Sequence, residues 1–223
     1  MRRTVPSLVI ASVLALGGVA SCAAPESAPE TTSTASAAPS YSAEQLDIVA
    51  PADARAITHP ADPQATLVLF TDYECPYCAK MDPLIQQAKE DYGDQVRILV
   101  RNYPLSKHVN AEPAAQAVEA AAGQGALEEM AATIFEHQAD WAAEIDPDDT
   151  FAQYAEDLGL DVEKFRADYA SEAIKNRVAK DLQDAKALQL KGTPTLILDG
   201  QVLQLESVDY AELQEPLANA LAN

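Results

Sequence analysis

The stretch Ala65-Thr66-Leu67-Val68-Leu69-Phe70-Thr71-Asp72-Tyr73-Glu74-Cys75-Pro76-Tyr77-Cys78 decides how this chain folds. Residues 65–70 form an apolar run of strand length, the pattern of a strand covered on both faces. A pair of cysteines follows within a few residues. Met81, Leu84, Ile85, Ala88 and Tyr92 then recur at helical spacing up to a Tyr92-Gly93 stop. The cysteines therefore stand at a strand-to-helix junction. Gln95 to Tyr103, with Val96, Ile98, Leu99 and Val100, reads as a second strand ended by Pro104. The order is β-α-β, which implies parallel strands, a right-handed crossover and a sheet covered on both faces.

Working outward, Ala111 to Leu190 reads as a long helical block. It is interrupted at Gly123, Gly125, Asp146-Pro147-Asp148-Asp149 and Leu158-Gly159-Leu160-Asp161, and four or five helices fit. The Asp-rich breaks suit helix N-caps, since they lack the spacing and distal Glu of a calcium loop. Phe135 and Trp141 are expected in the core. Gly192-Thr193-Pro194 ends the block. Thr195 to Leu198 and Gln201 to Leu205, joined by Asp199-Gly200, then read as a hairpin. A last amphipathic helix is expected from about Val208 to Leu221, with Pro216 as a kink or break.

The N-terminus has a different character. Met1-Arg2-Arg3 precedes an apolar run, Val5 to Ala20, that reads as an export signal. The run ends Val19-Ala20-Ser21-Cys22, which resembles a bacterial lipobox, in which the cysteine is diacylated and becomes the new N-terminus. Two acyl chains suffice for stable anchoring. The plainer alternative is an ordinary small-residue cleavage site with a chance cysteine nearby. From Ala23 to about Glu44 the sequence is mostly Ala, Pro, Ser, Thr and Glu, too poor in large apolar side chains to offset its chain entropy. The expected organisation is a signal over 1–21, a tether over 22–46 and a folded domain over 47–223. The formal charge of −20 repels phosphate backbones and anionic headgroups, which excludes nucleic acid as a partner.

Only three cysteines are present, too few for a disulfide framework. Cys75 and Cys78, at i and i+3 on one helix face, lie close enough for reversible closure. At a helix start, unpaired N–H groups and the positive end of the dipole favour a thiolate at Cys75. Cys78, one turn in, is expected to be more buried and to resolve a mixed disulfide, and Pro76 suits the first turn because its missing N–H is an unpaired donor there anyway. A zinc half-site would need two further ligands from His59, His108, His137 or acids, none of them in a second close pair. No metal is expected. A purely structural disulfide over so short a loop would remove little unfolded-state entropy.

Phe70 to Cys78, then Gly192-Thr193-Pro194-Thr195 before a hairpin, with helices between, resembles the DsbA-like branch of the thioredoxin superfamily. The resemblance covers about Ile57 to the C-terminus. It implies an α/β thioredoxin fold with a helical insertion, about 111–190, between the β-α-β half and the C-terminal hairpin and helix. It also implies a cis Pro194 beside the cysteines, a substrate chain bound by the Thr193 backbone with Pro76 and Tyr77 beside it, and a Pro83 that kinks the active-site helix. The activity implied is thiol–disulfide exchange on cysteine-containing exported proteins, dithiol oxidation above all. Reductase or isomerase action, or a non-catalytic chaperone-like lipoprotein, are the alternatives. No cofactor is implied beyond the Cys75–Cys78 disulfide. The implied setting is the outer face of the cytoplasmic membrane, with a monomer served by a membrane redox partner.

Two departures bear on the chemistry. Many relatives carry a buried acid six residues before the first cysteine, where this chain has Leu69. Asp72 and Glu74 are expected to be solvated or capping the helix, and the proton acceptor for Cys78 is left open. Tyr77 cannot donate to the thiolate as a histidine would. The Cys75 pKa is therefore expected below that of free cysteine but less extreme than in the strongest oxidases. His108 and His137 read as surface or capped core residues and are left outside the site.

Overall fold

The computed structural model describes residues 40–222, so the signal, Cys22 and residues 22–39 of the tether lie outside the described residues. The chain order is α1 (Ala43–Val49), β1 (Arg55–Ala56), β2 (Ala65–Thr71), α2 (Pro76–Tyr92) and β3 (Val96–Asn102). The helical block follows as α3 (Ala111–Ala122), α4 (Leu127–Glu136), α5 (Gln138–Trp141), α6 (Asp148–Asp157), α7 (Val162–Tyr169) and α8 (Glu172–Ala187). The chain closes with β4 (Thr195–Leu198), β5 (Gln201–Val202) and α9 (Tyr210–Leu221).

The strands form one sheet in the order β1-β3-β2-β4-β5. β2 and β3 run parallel in register Leu67↔Ile98 and Leu69↔Val100, as the β-α-β pattern requires. β4 returns antiparallel to β2, with Phe70 opposite Thr195. That register brings the end of β2, where the cysteines begin, beside the loop that carries Pro194. Leu67, Phe70, Ile98 and Ile197 are fully enclosed, which explains the continuous apolar runs of the central strands. One sheet face packs on α2 and α9 through Met81, Ile85, Leu213 and Leu217. The other carries α8 and α1 through Ala185, Leu188 and Val49.

The insertion has its own core around Met130, Ile134, Trp141, Phe151 and Phe165. Trp141 is fully buried, as expected, whereas Phe135 only packs against the edge of this cluster. Its axis is α3, where Ala111, Ala114, Ala115, Ala117, Val118, Ala120 and Ala121 are all buried, so neighbouring elements approach it closely from several sides. The block holds one more piece than the sequence suggests, because the one-turn α5 brings Trp141 inward. Asp161 caps α7 as expected, its side chain accepting from the Lys164 N–H.

A polar seam joins the insertion to the sheet. Arg101 on β3, fully buried, donates to Asp181 (2.7 Å) and Asp184 (2.5 Å) of α8 and to the Ile48 carbonyl (2.8 Å) at the end of α1. Beside it Asn102 donates to Glu119 of α3 at 2.8 Å, and Glu119 also pairs with Arg55. A charged residue inside an apolar strand is tolerated here because its N–H groups meet carboxylates and carbonyls.

Three expected boundaries change. The tether does not reach residue 46: Ser40 bridges to Gln201, the Tyr41 N–H bonds Gly200 O at 2.8 Å, and α1 starts at Ala43. The Ser42–Gln45 capping box and the burial of Val49 hold this helix, which a composition of small and polar residues conceals. The hairpin turns at Asp199 (φ 47°) and Gly200 (φ 84°), as Asp-Gly predicts, but its second strand is only Gln201–Val202. A side chain at Gly200 would also meet Leu46 Cδ2 at 2.6 Å. The last helix begins at Tyr210, capped by Asp209, and runs unbroken past Pro216. No helix among the described residues is long and apolar enough to cross a membrane.

Candidate active site

Cys75 is the N-cap of α2, with extended backbone, and Pro76 is its first helical residue. The turn entering the helix is closed by the Cys75 N–H bonding Asp72 O at 3.0 Å. The Cys75 thiol faces the Thr193 carbonyl at 3.5 Å, and Thr193-Pro194 is a cis peptide. The Cys78 sulfur accepts the Asp72 N–H at 3.5 Å. Both cysteines are free thiols in this structure. Their residue exposures, 3% and 1%, differ less than expected, so access to solvent alone does not separate them.

Their surroundings do. The Cys75 pKa falls to about 5, first because the Cys78 thiol donates to its sulfur, then through the N–H of Cys78, the Thr193 side chain and the N–H of Tyr77, with burial opposing. Cys75 makes no capping hydrogen bond with its side chain in the thiol form, and the N–H groups of the first turn lie where they favour its anion. Cys78 moves far upward, chiefly through burial and then through its hydrogen bond to Cys75. One sulfur is thus an anion at neutral pH and the other a protonated donor to it. Two buried hydroxyls, Thr71 Oγ1 and Thr193 Oγ1, have no hydrogen-bond partner among the described residues in this dithiol state. Each favours the ionised form of its sulfur, Thr193 for Cys75 and Thr71 for Cys78.

Asp72 differs from expectation. It is buried at 1% exposure rather than solvated, and it does not cap α2. Its carboxylate accepts the N–H of Glu74 and of Leu105, both at 2.8 Å, and contacts His108 Nδ1 at 2.8 Å. Glu74 instead accepts the Asn110 N–H at 2.6 Å. These acids fasten the active-site turn to the loop after β3, and His108 belongs to that fastening. No local signal reveals it, because the partners lie more than thirty residues on in the chain. His137 stays outside, against Asp140 and the Tyr154 ring.

A groove of about 1020 Å³ opens beside the pair. Tyr77, Met81, Thr193, Pro194, Leu203 and Leu205 are among the residues that line it. Tyr77 is 61% exposed at the rim, with Lys80 Nζ 5.6 Å from the centroid of its ring. Three of the four expected substrate-contact residues, Tyr77, Thr193 and Pro194, therefore meet on one surface, while Pro76 is exposed at the helix start and outside the groove lining. Pro83 lies within α2, which continues through it.

A β-α-β half with an N-terminal cysteine pair, a cis proline and a hairpin half beyond a helical insertion define a thiol–disulfide oxidoreductase fold of thioredoxin type. The chain belongs to the thioredoxin family: the family model described as Thioredoxin matches residues 60–219. Its fold is DsbA-like. Oxidised BdbD from Bacillus subtilis superposes with a TM-score of 0.66 at 20% identity, covering 84% of this chain and 98% of that one. The thiol-disulfide exchange protein alpha-DsbA2 from Wolbachia pipientis gives 0.68 at 17%, covering 79% and 91%. The catalytic domain of Proteus mirabilis ScsC gives 0.66 at 22%, covering 81% and 97%. Among curated relatives, Na(+)/H(+) antiporter NhaA 1 of Mycobacterium sp. (strain KMS) is 37% identical over 161 residues, 70% of this chain and 25% of that protein. The chain spans about a quarter of the length of the curated relatives it matches.

Proposed function

We propose that this chain is an extracytoplasmic thiol–disulfide oxidoreductase that passes a disulfide to exported, cysteine-containing proteins. Cys75 exchanges with the substrate and Cys78 closes or reopens the internal disulfide. The observation that carries this is the placement of the two thiols, Cys75 at the N-cap of α2 beside the cis Thr193-Pro194 peptide and Cys78 buried one turn further on, which draws the Cys75 pKa down and pushes that of Cys78 up. In the oxidising direction a substrate thiolate attacks Cys75 and Cys78 departs. A second substrate thiolate then attacks the substrate sulfur, and Cys75 leaves readily because its anion is stable. The groove beside Pro194 receives the substrate chain. The export signal, lipidation at Cys22 and a membrane partner that restores the disulfide complete the proposal, and the enzyme works as a monomer with no cofactor beyond its own disulfide.

The potential follows from the thiolate. At pH 7, ionisation of a thiol with a pKa of about 5 stabilises the dithiol form by about 2 to 3 kcal/mol more than that of a thiol near 7, as in thioredoxin. The difference is worth about 50 mV, which moves a potential of about −270 mV to about −220 mV. That is still about 80 mV above typical structural disulfides of secreted proteins, so transfer to them runs downhill. Equilibration with glutathione is the measurement, paired with oxidative refolding of a reduced multi-cysteine substrate by wild type and Cys75→Ser. A potential below about −300 mV would overturn the oxidase reading. Unchanged refolding activity in Cys75→Ser would overturn the exchange role of that residue.

A further inference from the structure

Behind Cys78, α2, β2, β3 and α4 line a second, small cavity of about 20 Å³. Leu69, Thr71, Cys78, Asp82 and Gln86 are among its walls. The volume exceeds the about 10–15 Å³ that one water needs, and a retained water also needs polar partners. Thr71 Oγ1 is buried there without a hydrogen-bond partner among the described residues. The Cys78 thiol faces the same space from α2. Asp82, four residues further along that helix, lies on the same face one turn away.

The wall narrows the choice of acid. Leu69 contributes only methyl groups. The lining carboxylates are Asp82 and Glu128 of α4, and Glu128 is occupied by the Lys89 ammonium at 2.6 and 2.8 Å. Asp72 turns its carboxylate to Glu74, Leu105 and His108 and is not in this wall. Asp82 is left as the lining carboxyl outside an ion pair among the described residues.

We propose that Asp82 is the proton acceptor for Cys78, exchanging a proton with the thiol through one water held between them and Thr71 Oγ1. This rests on the exchange reading given above. When Cys78 resolves a mixed disulfide, its S–H bond breaks and the proton passes through the water to the Asp82 carboxylate. The electron pair left on sulfur forms the Cys78–Cys75 bond, the bond from Cys75 to the substrate sulfur breaks, and the substrate leaves as a thiolate. In the oxidising direction a substrate thiolate attacks Cys75, Cys78 departs as a thiolate, and the Asp82 carboxylic acid returns the proton. The groups facing Asp82 are consistent with this exchange. Burial raises its pKa, Gln86 opposes by hydrogen bonding, and Glu128 adds to the rise. Tyr73, from the turn before α2, also lines the cavity and is pushed upward by burial, so it stays neutral. Lys89 is engaged by Glu128.

The test follows the two phases in which the full-length dithiol protein releases thionitrobenzoate from Ellman's reagent. The first phase reports attack by Cys75 and the second its resolution by Cys78. Asp82→Asn is expected to slow the second phase about 100-fold at pH 7, the usual scale of general acid–base assistance, with the first phase unchanged. Its second phase then rises steadily with pH where wild type levels off, and Asp82→Glu restores the rate to within a few-fold. Identical second-phase rates and pH profiles in wild type and Asp82→Asn would overturn the proposal. So would an Asp82→Glu variant as slow as Asp82→Asn with both folded. A slow first phase in wild type at pH 6 would instead count against Cys75 as the exchanging thiolate. Should Asp82→Asn not fold, the Asp82 carboxyl resonance of the wild-type protein decides. Titration curves that differ between the dithiol and disulfide forms are expected, and coincident curves would overturn the proposal.

Discussion

Replacing Cys78 by Ala tests the electrostatics of the site most directly. The substitution removes the thiol that contributes most to lowering the Cys75 pKa and leaves the backbone N–H groups at positions 77 and 78 and the Thr193 side chain in place. A hydrogen bond to a charged acceptor is worth about 1.5–3 kcal/mol, and each pKa unit about 1.36 kcal/mol, so the loss amounts to about one to two units. Cys75 in Cys78→Ala should therefore titrate at about 6–7 instead of about 5. Ultraviolet thiolate absorbance against pH reads the value. Alkylation by iodoacetamide at pH 6 gives an independent check, because the thiolate fraction there should fall from about 90% to between about 50% and 10%. A pKa that stayed at about 5 would mean that the helix start and Thr193 hold the anion without the Cys78 thiol. A return to about 8.5 would mean that the helix start and Thr193 contribute nothing. Either result refutes the division of labour described here.

Two further expectations concern stability. Because the folded-state pKa of Cys75 lies below its unfolded value, ionisation stabilises the dithiol form fully above the unfolded pKa, and this gain is lost as pH falls through about 5. At pH 7 the gain is about 3 kcal/mol, or about 6–12 °C in Tm for a domain of this size, so calorimetry of reduced wild type and Cys75→Ser should diverge between pH 5 and 7; parallel curves would count against the low pKa. Replacing Arg101 by Leu takes the cation from buried Asp181, which keeps only neutral N–H donors of Asn102, and uncaps the carbonyls that end α1, and urea denaturation should register a loss of about 3–5 kcal/mol. A loss under about 1 kcal/mol would show that the seam carries no net stability.

Local patterns in the chain carry the β-α-β half, the cysteine junction and the Asp-Gly turn, because period, turn chemistry and a helix start are properties of neighbouring residues. The long-range arrangement of polar groups is not local. Asp72 looks like a solvated loop residue until the loop carrying Leu105 and His108 closes over it. Arg101 sits in a strand whose apolar neighbours suggest nothing of the two aspartates waiting on α8. Asp82 reads as an ordinary polar position of an amphipathic helix, and only the cavity it shares with Cys78 sets it apart. Helix α1 is hidden for another reason: seven residues with one buried side chain make a weak periodic signal.

The run of alanines along α3 decides where this chain is free to drift. Buried on nearly every side, that helix leaves no room for larger side chains, and overfilling a packed core costs about 1–3 kcal/mol at each step. Helices α6 and α7, which face outward around it, keep many exposed positions, among them Asp157, Glu163 and Asp168's neighbour Ala167. Substitutions, added negative charge included, are therefore accommodated in that outer layer far more cheaply than along the spine beneath it.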